Sequence, residues 1–479
     1  MQLQRVLIIM HSIPASFIGL LVITSALLAV WPIPGTIGLR NALLGLMIVM
    51  LGWTAWRNRH GSMSLRWPLW PVILYLCLSA WIIIVIVGWS SEPALSWKEL
   101  WGQWALPALC GVAGAVVASQ AQRLGEKGRK RLIGTVFYTF FGLVLLHDLL
   151  DAVYWWATGD LPFRQAPVLY LPQWPAMLFR DESIWTTFNG QFGEKFSFVN
   201  NTFAALLFAE MIQRIMQKGR WIPISNLGLA VGFLSLILCS YWLSFRNGNI
   251  GLLAMLSMAG IMVLIRMRHR VSLIKILSAL VLGVVLVAGA VSAFWKSDPR
   301  WARFAETFPV ALDTQHHKAW ISTRMEPYPL LSDGNPVDAS AYERIAWMKE
   351  GSKLAIEHPL GTGLNRNAFF DGIDRKYNLG GTVRGGHAHS GVVDFTIANG
   401  LPGIALWIAF LASIAWIGWK AFRDGRIAVG LVLMFLISGF FSRSLVDSNI
   451  RDHVLQQFLF MAGLFTILAN NNRSADDMV

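Results

Sequence analysis

Apolar stretches of about 20 residues recur along the whole chain, and nothing else in the sequence restricts its fold as tightly. A stretch of that length is what a helix needs to cross a hydrocarbon core of about 30 Å. Read this way, the chain contains about twelve spans: 6–31, 36–56, 69–89, 100–120, 132–156, 196–217, 224–243, 248–265, 272–295, 393–418, 427–446 and 453–469. Only 14% of residues are charged, against about 25% in soluble proteins. That deficit excludes an ordinary cytosolic enzyme and a disordered scaffold. The expected class is an all-α polytopic membrane protein.

The net charge of +13 does not imply a nucleic-acid partner, because Lys and Arg fall in short clusters between apolar runs. The clusters are Arg57/Arg59/Arg66, Arg123/Lys127/Arg129/Lys130/Arg131, Arg214/Lys218/Arg220, Arg266/Arg268/Arg270/Lys275 and Lys420/Arg423/Arg426. They alternate with loops of balanced charge, so the positive-inside bias puts both termini and every cluster in the cytoplasm. The first apolar run follows Arg5 and lacks a convincing small-x-small cleavage site, so it reads as a retained span. Cys77, Cys110 and Cys239 each sit inside an apolar run, with no disulfide framework and no CxxC metal spacing.

Two segments are too polar to span, and both fall on the outer side. Residues 157–195 are rich in Pro and aromatics; residues 296–392 carry nearly balanced charge. Within the second, Ala341, Ile345, Met348 and Ala355 share a helical face that stops at His358-Pro359. The expected organisation is therefore helices 1–9 over residues 1–295, a partly helical outer subdomain over 296–392, and helices 10–12 with a short tail over 393–479.

Charged groups gather at the outer ends of helices, which points to a site at that face. Arg246, in Leu243-Ser244-Phe245-Arg246-Asn247-Gly248, runs against the usual exclusion of Arg from outer loops. Its guanidinium suits phosphate oxygens, although a snorkelling or helix-end role fits equally. His387 and His389 lie in Arg384-Gly385-Gly386-His387-Ala388-His389-Ser390-Gly391, just before a span. An imidazole there can take a proton from a sugar hydroxyl near neutral pH, or simply be a solvated loop group. The His-x-His pair has no further metal ligand at a recognisable spacing, so no metal is expected. Asp394 can orient an imidazole or cap a helix. Arg344, on pattern alone, reads as an exposed helical charge. Lys195, Asn200 and Asn201 can bind a polar headgroup or bond between helices. Arg443, Asp447, Arg451 and Asp452 can pair among themselves. Walker A, HExxH and GxSxG patterns are absent, which removes an ATP-driven pump and two common hydrolase classes.

The elements Arg344…Trp347, Pro359-Leu360-Gly361-Thr362-Gly363, His389-Ser390-Gly391 and Asn399-Gly400-Leu401-Pro402-Gly403 resemble the O-antigen ligase/polymerase family of bacterial inner-membrane proteins. The resemblance implies transfer of a glycan from undecaprenyl diphosphate to an acceptor hydroxyl at the periplasmic face, with no metal or other cofactor. It implies that His389 is the base and that Arg246 and Arg344 bind the donor diphosphate. Phe245 interrupts the Ser-Arg element of the family, and Thr187 stands where members often carry Arg. Lys195, Arg180 or Arg384 would then supply the charge, with Asn201 and His387 as further substrate contacts. The implied acceptor is lipid A-core, which makes the chain a ligase; the alternatives are a polymerase that joins lipid-linked repeats, and a lipid-glycan transporter. A transporter would show midplane charges, interrupted helices and repeat symmetry, and none of these is evident in the sequence.

Overall fold

The computed structural model describes residues 14–33, 35–57, 68–158, 182–217, 219–243, 246–267, 299–381 and 386–470. Among them there is no strand beyond one isolated bridge, Leu330 to Pro336. The helices are α1 (Ala15–Val30), α2 (Ile37–Arg57), α3 (Leu69–Trp89), α4 (Pro93–Arg123), α5 (Gly125–Thr158), α6 (Glu182–Gln217), α7 (Asn226–Leu243) and α8 (Arg246–Met267). They continue with α9 (Pro299–Leu312), α10 (Ala339–Glu357), α11 (Ala368–Tyr377), α12 (Gly391–Arg423), α13 (Ile427–Ser444) and α14 (Asp452–Ala469).

Nine of the described helices are long and apolar enough to cross a membrane: α2, α3, α4, α5, α7, α8, α12, α13 and α14. The chain is a multi-pass membrane protein. The expected count of about twelve is met only in part, for three separate reasons. The first expected span survives as the shorter α1, since residues 1–13 lie outside the described residues. The expected span at 272–295 lies outside them altogether. The sixth is present as α6, but that helix is too polar to qualify, carrying Asn200, Asn201, Thr202 and Glu210. Burial resolves the anomaly, because side chains from Phe196 to Glu210 are all buried in protein. The expected loop at 157–195 also needs correction: residues 182–195 already belong to α6, and α5 runs on to Thr158.

The centre of the bundle is α13 and α14, whose spans are 78% and 72% buried, whereas α2, α3 and α8, at 22%, form its rim. Lipid tails give helices no hydrophobic reason to associate, so close packing must do it. Small residues allow this where α4 crosses α14. A Cβ on Gly114 would stand 2.1 Å from the Phe460 carbonyl oxygen, and one on Gly463 would stand 2.1 Å from that of Gly111.

Segment 299–390 sits over one end of the bundle. The helix expected from the Ala341–Ala355 face is α10. Asp338 caps it by accepting a hydrogen bond from the Ala341 amide at 3.0 Å, and it ends at His358. Beyond it, Pro359–Gly363 docks into a break in α12. Gly400, with φ 71° and ψ −178°, interrupts that helix ahead of Pro402 and leaves carbonyls without helical partners. The docked loop supplies the donors: Thr362 N to Ile397 O at 2.9 Å and Gly363 N to Ala398 O at 3.0 Å. In return, Leu401 N donates to Pro359 O at 2.7 Å. The Trp81 indole donates to Asn399 O at 2.6 Å, and that of Trp89 to Leu360 O at 3.2 Å. A side chain fits at neither Gly361 nor Gly400, since each Cβ would fall within 2.7 Å of the other strand's backbone. The two motifs are thus the halves of one joint between segment 299–390 and the membrane helices.

Candidate active site

Above this joint, Gly386–Ser390 leads into α12. Ser390 caps the helix, accepting from Val393 N at 3.3 Å, and Gly391 N donates to Asp447 O at 2.8 Å. Asp394, one turn in, accepts from Ala388 N at 2.8 Å with one oxygen and from the Ser448 hydroxyl with the other. Asp394 takes neither of its two expected roles, since Ser390 is the cap. It does not touch an imidazole; it holds the backbone between the two histidines.

That backbone holds His389 in the left-handed region, at φ 54°, a conformation β-carbon residues avoid. Such strain persists where the surroundings enforce it, and it clusters at functional sites. The His389 ring lies parallel to the Trp347 indole, with centroids 5.5 Å apart and planes 7° apart. Trp347 is itself fixed, donating to Trp320 O at 2.7 Å and packing edge-on against Phe370. The His387 ring meets His389 at 4.2 Å, and its Nδ1 accepts from the His389 amide at 3.2 Å. His387 is therefore neutral at Nδ1 and carries its proton on Nε2.

Both imidazoles are kept uncharged. Burial, and then the charge of Arg344, pull His389 down to about 4, with Asp447 opposing and Arg451 adding to the effect. Burial, Arg451, His389 and Arg344 pull His387 down to about 3. At neutral pH His389 keeps a lone pair beside the Arg344 and Arg451 cations, while that of His387 is taken by the His389 amide. Next to them opens a cavity of about 300 Å³ lined by Trp320, Thr323, Tyr328, Glu343, Trp347, His387 and His389. Its wall mixes aromatic faces with hydroxyl and carboxylate groups, and Tyr328 donates to Glu343 at 2.6 Å. Such a lining suits a polyhydroxylated ligand.

The expected residues come together only partly. His387, His389 and Arg344 share this site. Lys195, well inside α6, acts with Arg40 and Arg451 on His453 in the first turn of α14. Asn201 is elsewhere, buried in the bundle with Gln457 and Arg443 around a void of about 30 Å³. Arg246 begins α8, but its side chain lies outside the described residues, as does Arg384. Arg443 pairs with Asp447 at 2.9 Å, as the sequence allowed, and lies over the Phe198 ring. Arg451 was expected only to pair with its neighbours. It does lie 3.6 Å from Asp452, but among the described residues it is also the cation that acts on all three of His387, His389 and His453. Trp347 was legible as part of a motif, not as the platform for an imidazole distant in sequence.

Comparison with known families bears on this region. The O-antigen ligase family model matches residues 230–408. This part of the chain is similar to the O-antigen ligase family. The match runs from α7 into α12 and takes in Arg246, Arg344, the histidine loop and the Gly361–Gly400 joint; Lys195, Asn201 and Arg451 lie outside it. It supports a role in lipid-linked glycan transfer. No curated protein matches the chain.

Proposed function

We propose that the protein is a ligase of the bacterial inner membrane that moves an O-antigen glycan from undecaprenyl diphosphate onto a sugar hydroxyl of lipid A-core. Both termini lie in the cytoplasm, and 296–392 forms a periplasmic subdomain over the site. The observation that carries the reading is the neutral, strained His389, stacked on Trp347 at the cavity wall with Arg344 and Arg451 near it.

His389 accepts the proton of the acceptor hydroxyl as that oxygen attacks the anomeric carbon of the donor sugar. The bond from that carbon to the diphosphate oxygen breaks, and undecaprenyl diphosphate leaves with the electron pair. Arg344, Arg246 and Arg451 hold the departing negative charge, with Lys195 and Arg384 along the lipid's approach. Preorganised cations at a developing charge contribute about 10²–10³-fold. The imidazolium formed on His389 is unfavourable beside Arg344 alone and becomes favourable beside a bound diphosphate. Proton transfer is thereby tied to donor binding. His387 and Asn201 complete the proposed substrate contacts, and the step needs no metal.

The test is a lipopolysaccharide gel of the host lacking this gene, complemented with wild type or His389→Ala. Bare core with accumulated lipid-linked glycan in both null and variant is the expected outcome. Core bearing a single repeat would make the protein a polymerase, and an unchanged ladder in the null would remove both readings.

A further inference from the structure

Away from the candidate site, α5 and α7 bring a second group of ionisable side chains together inside the bundle. His147 and Asp148 on α5 and Cys239 on α7 are 6%, 8% and 0% exposed. One ligand atom from each lies within 4.8 Å of the others. We propose that His147, Asp148 and Cys239 bind a divalent transition metal of zinc's character, which staples α5 to α7.

Four observations carry this. The donor set is one imidazole nitrogen, one carboxylate oxygen and one sulfur, the mixture that zinc accepts in tetrahedral sites. Ligand atoms on a tetrahedral zinc stand roughly 3.5 Å apart for bonds of about 2.0–2.3 Å, so the trio must close by only about 1 Å. The Asp148 carboxylate has Ser235 beside it, yet neither oxygen completes a hydrogen bond of good geometry. A buried carboxylate in that state is costly unless protonated or joined to a cation. Finally, Asp151 stands 2.8 Å from Nδ1 of His147, and Phe196 stacks on the same ring at 4.3 Å. A carboxylate that orients a ligating histidine is the usual support of a metal site.

The charge count also closes. A dication with one thiolate and one carboxylate is neutral, whereas the two anions alone would leave two charges in a low-dielectric interior. The fourth position goes to water, and Asp151 stays on Nδ1 of His147. All three protein ligands are buried in the bundle and none lines the cavity beside His389, so the proposal is independent of the transfer chemistry there. Single-sequence spacing conceals such a site, because its ligands come from two helices and none forms a local motif.

The experiment uses full-length, untagged protein in detergent, stripped with chelator and titrated with zinc, then with cobalt as a spectroscopic stand-in. One zinc per chain, a raised melting temperature, and a thiolate-to-cobalt charge-transfer band are expected. Cys239→Ser removes the band while Cys110→Ser leaves it, and Asp151→Asn weakens affinity by roughly 10- to 100-fold. Wild-type protein that binds no zinc overturns the proposal, and so does a cobalt complex without a thiolate band, whatever the variants do. A band that survives in Cys239→Ser likewise overturns it.

Discussion

Gly400→Ala tests whether the two glycine motifs form a joint. At φ 71° and ψ −178° the backbone is in a region essentially reserved for glycine, and forcing alanine there costs of order 1–3 kcal/mol. The new Cβ would also lie 2.4 Å from the Leu360 carbonyl carbon and 2.5 Å from Pro359 O. The chain can absorb that collision, at about 1–3 kcal/mol. Otherwise it undocks the loop and loses the three backbone bonds of Thr362, Gly363 and Leu401, each a net of about 1 kcal/mol. The first route totals about 2–6 kcal/mol and the second about 4–6 kcal/mol. Reversible unfolding of the purified protein in mixed detergent would measure it, with fluorescence of Trp81 and Trp89 reporting the joint, since both indoles donate into it. A loss below about 1 kcal/mol, with indole emission unchanged, would refute the joint. Activity is expected to fall with stability here, whereas His389→Ala should lose activity alone.

Other expectations follow from the histidine loop. The depressed His389 keeps its base form as pH falls, so kcat/KM should hold from neutrality to about pH 5 and drop only near pH 4. Arg344→Met removes the largest charge acting on His389 and should move that acid limb upward, toward the ordinary histidine value; an unmoved limb would mean that another group titrates. Because unfolded histidines take up protons before the folded ones, stability should decline as pH falls from about 6.5, and less steeply in His387→Gln when melting is followed against pH. Asp394→Ala should cost roughly 10- to 100-fold in kcat by releasing the Ala388 amide, with Asp394→Asn, which keeps an acceptor, losing less. Arg451→Gln should raise KM for the lipid-linked donor more than it lowers kcat, as measured by steady-state transfer.

The membrane helices were legible because apolar length is a direct physical requirement of the bilayer. Sequence reading failed where a neighbour, rather than lipid, supplies the environment. The N-terminal part of α6 has no apolar run, and the rest of α6 tolerates Asn200, Asn201 and Glu210 because protein surrounds it. Asp394 shows the same limit at the site: two roles fitted its position, and it has a third, set by the Ala388 amide and the Ser448 hydroxyl that the fold brings to it. His389 stood out by its place before a span, but its strain and its stacking on Trp347 depend on a tertiary contact between α10 and the loop that leads into α12. Arg451 was passed over because a plausible local partner, Asp452, sufficed to explain it. The pair exists, and the cation still reaches three histidines.

The most direct measurement is the transfer rate of purified protein in detergent, given an undecaprenyl diphosphate-linked glycan and a lipid A-core acceptor, for wild type and His389→Gln. Product is expected from wild type, with a rate lower by about 10²–10⁴-fold for the variant, at unchanged donor affinity and melting temperature. A variant within tenfold of wild type would contradict the role of His389 as the base, and wild-type protein that forms no product from these two lipids would contradict the ligase itself.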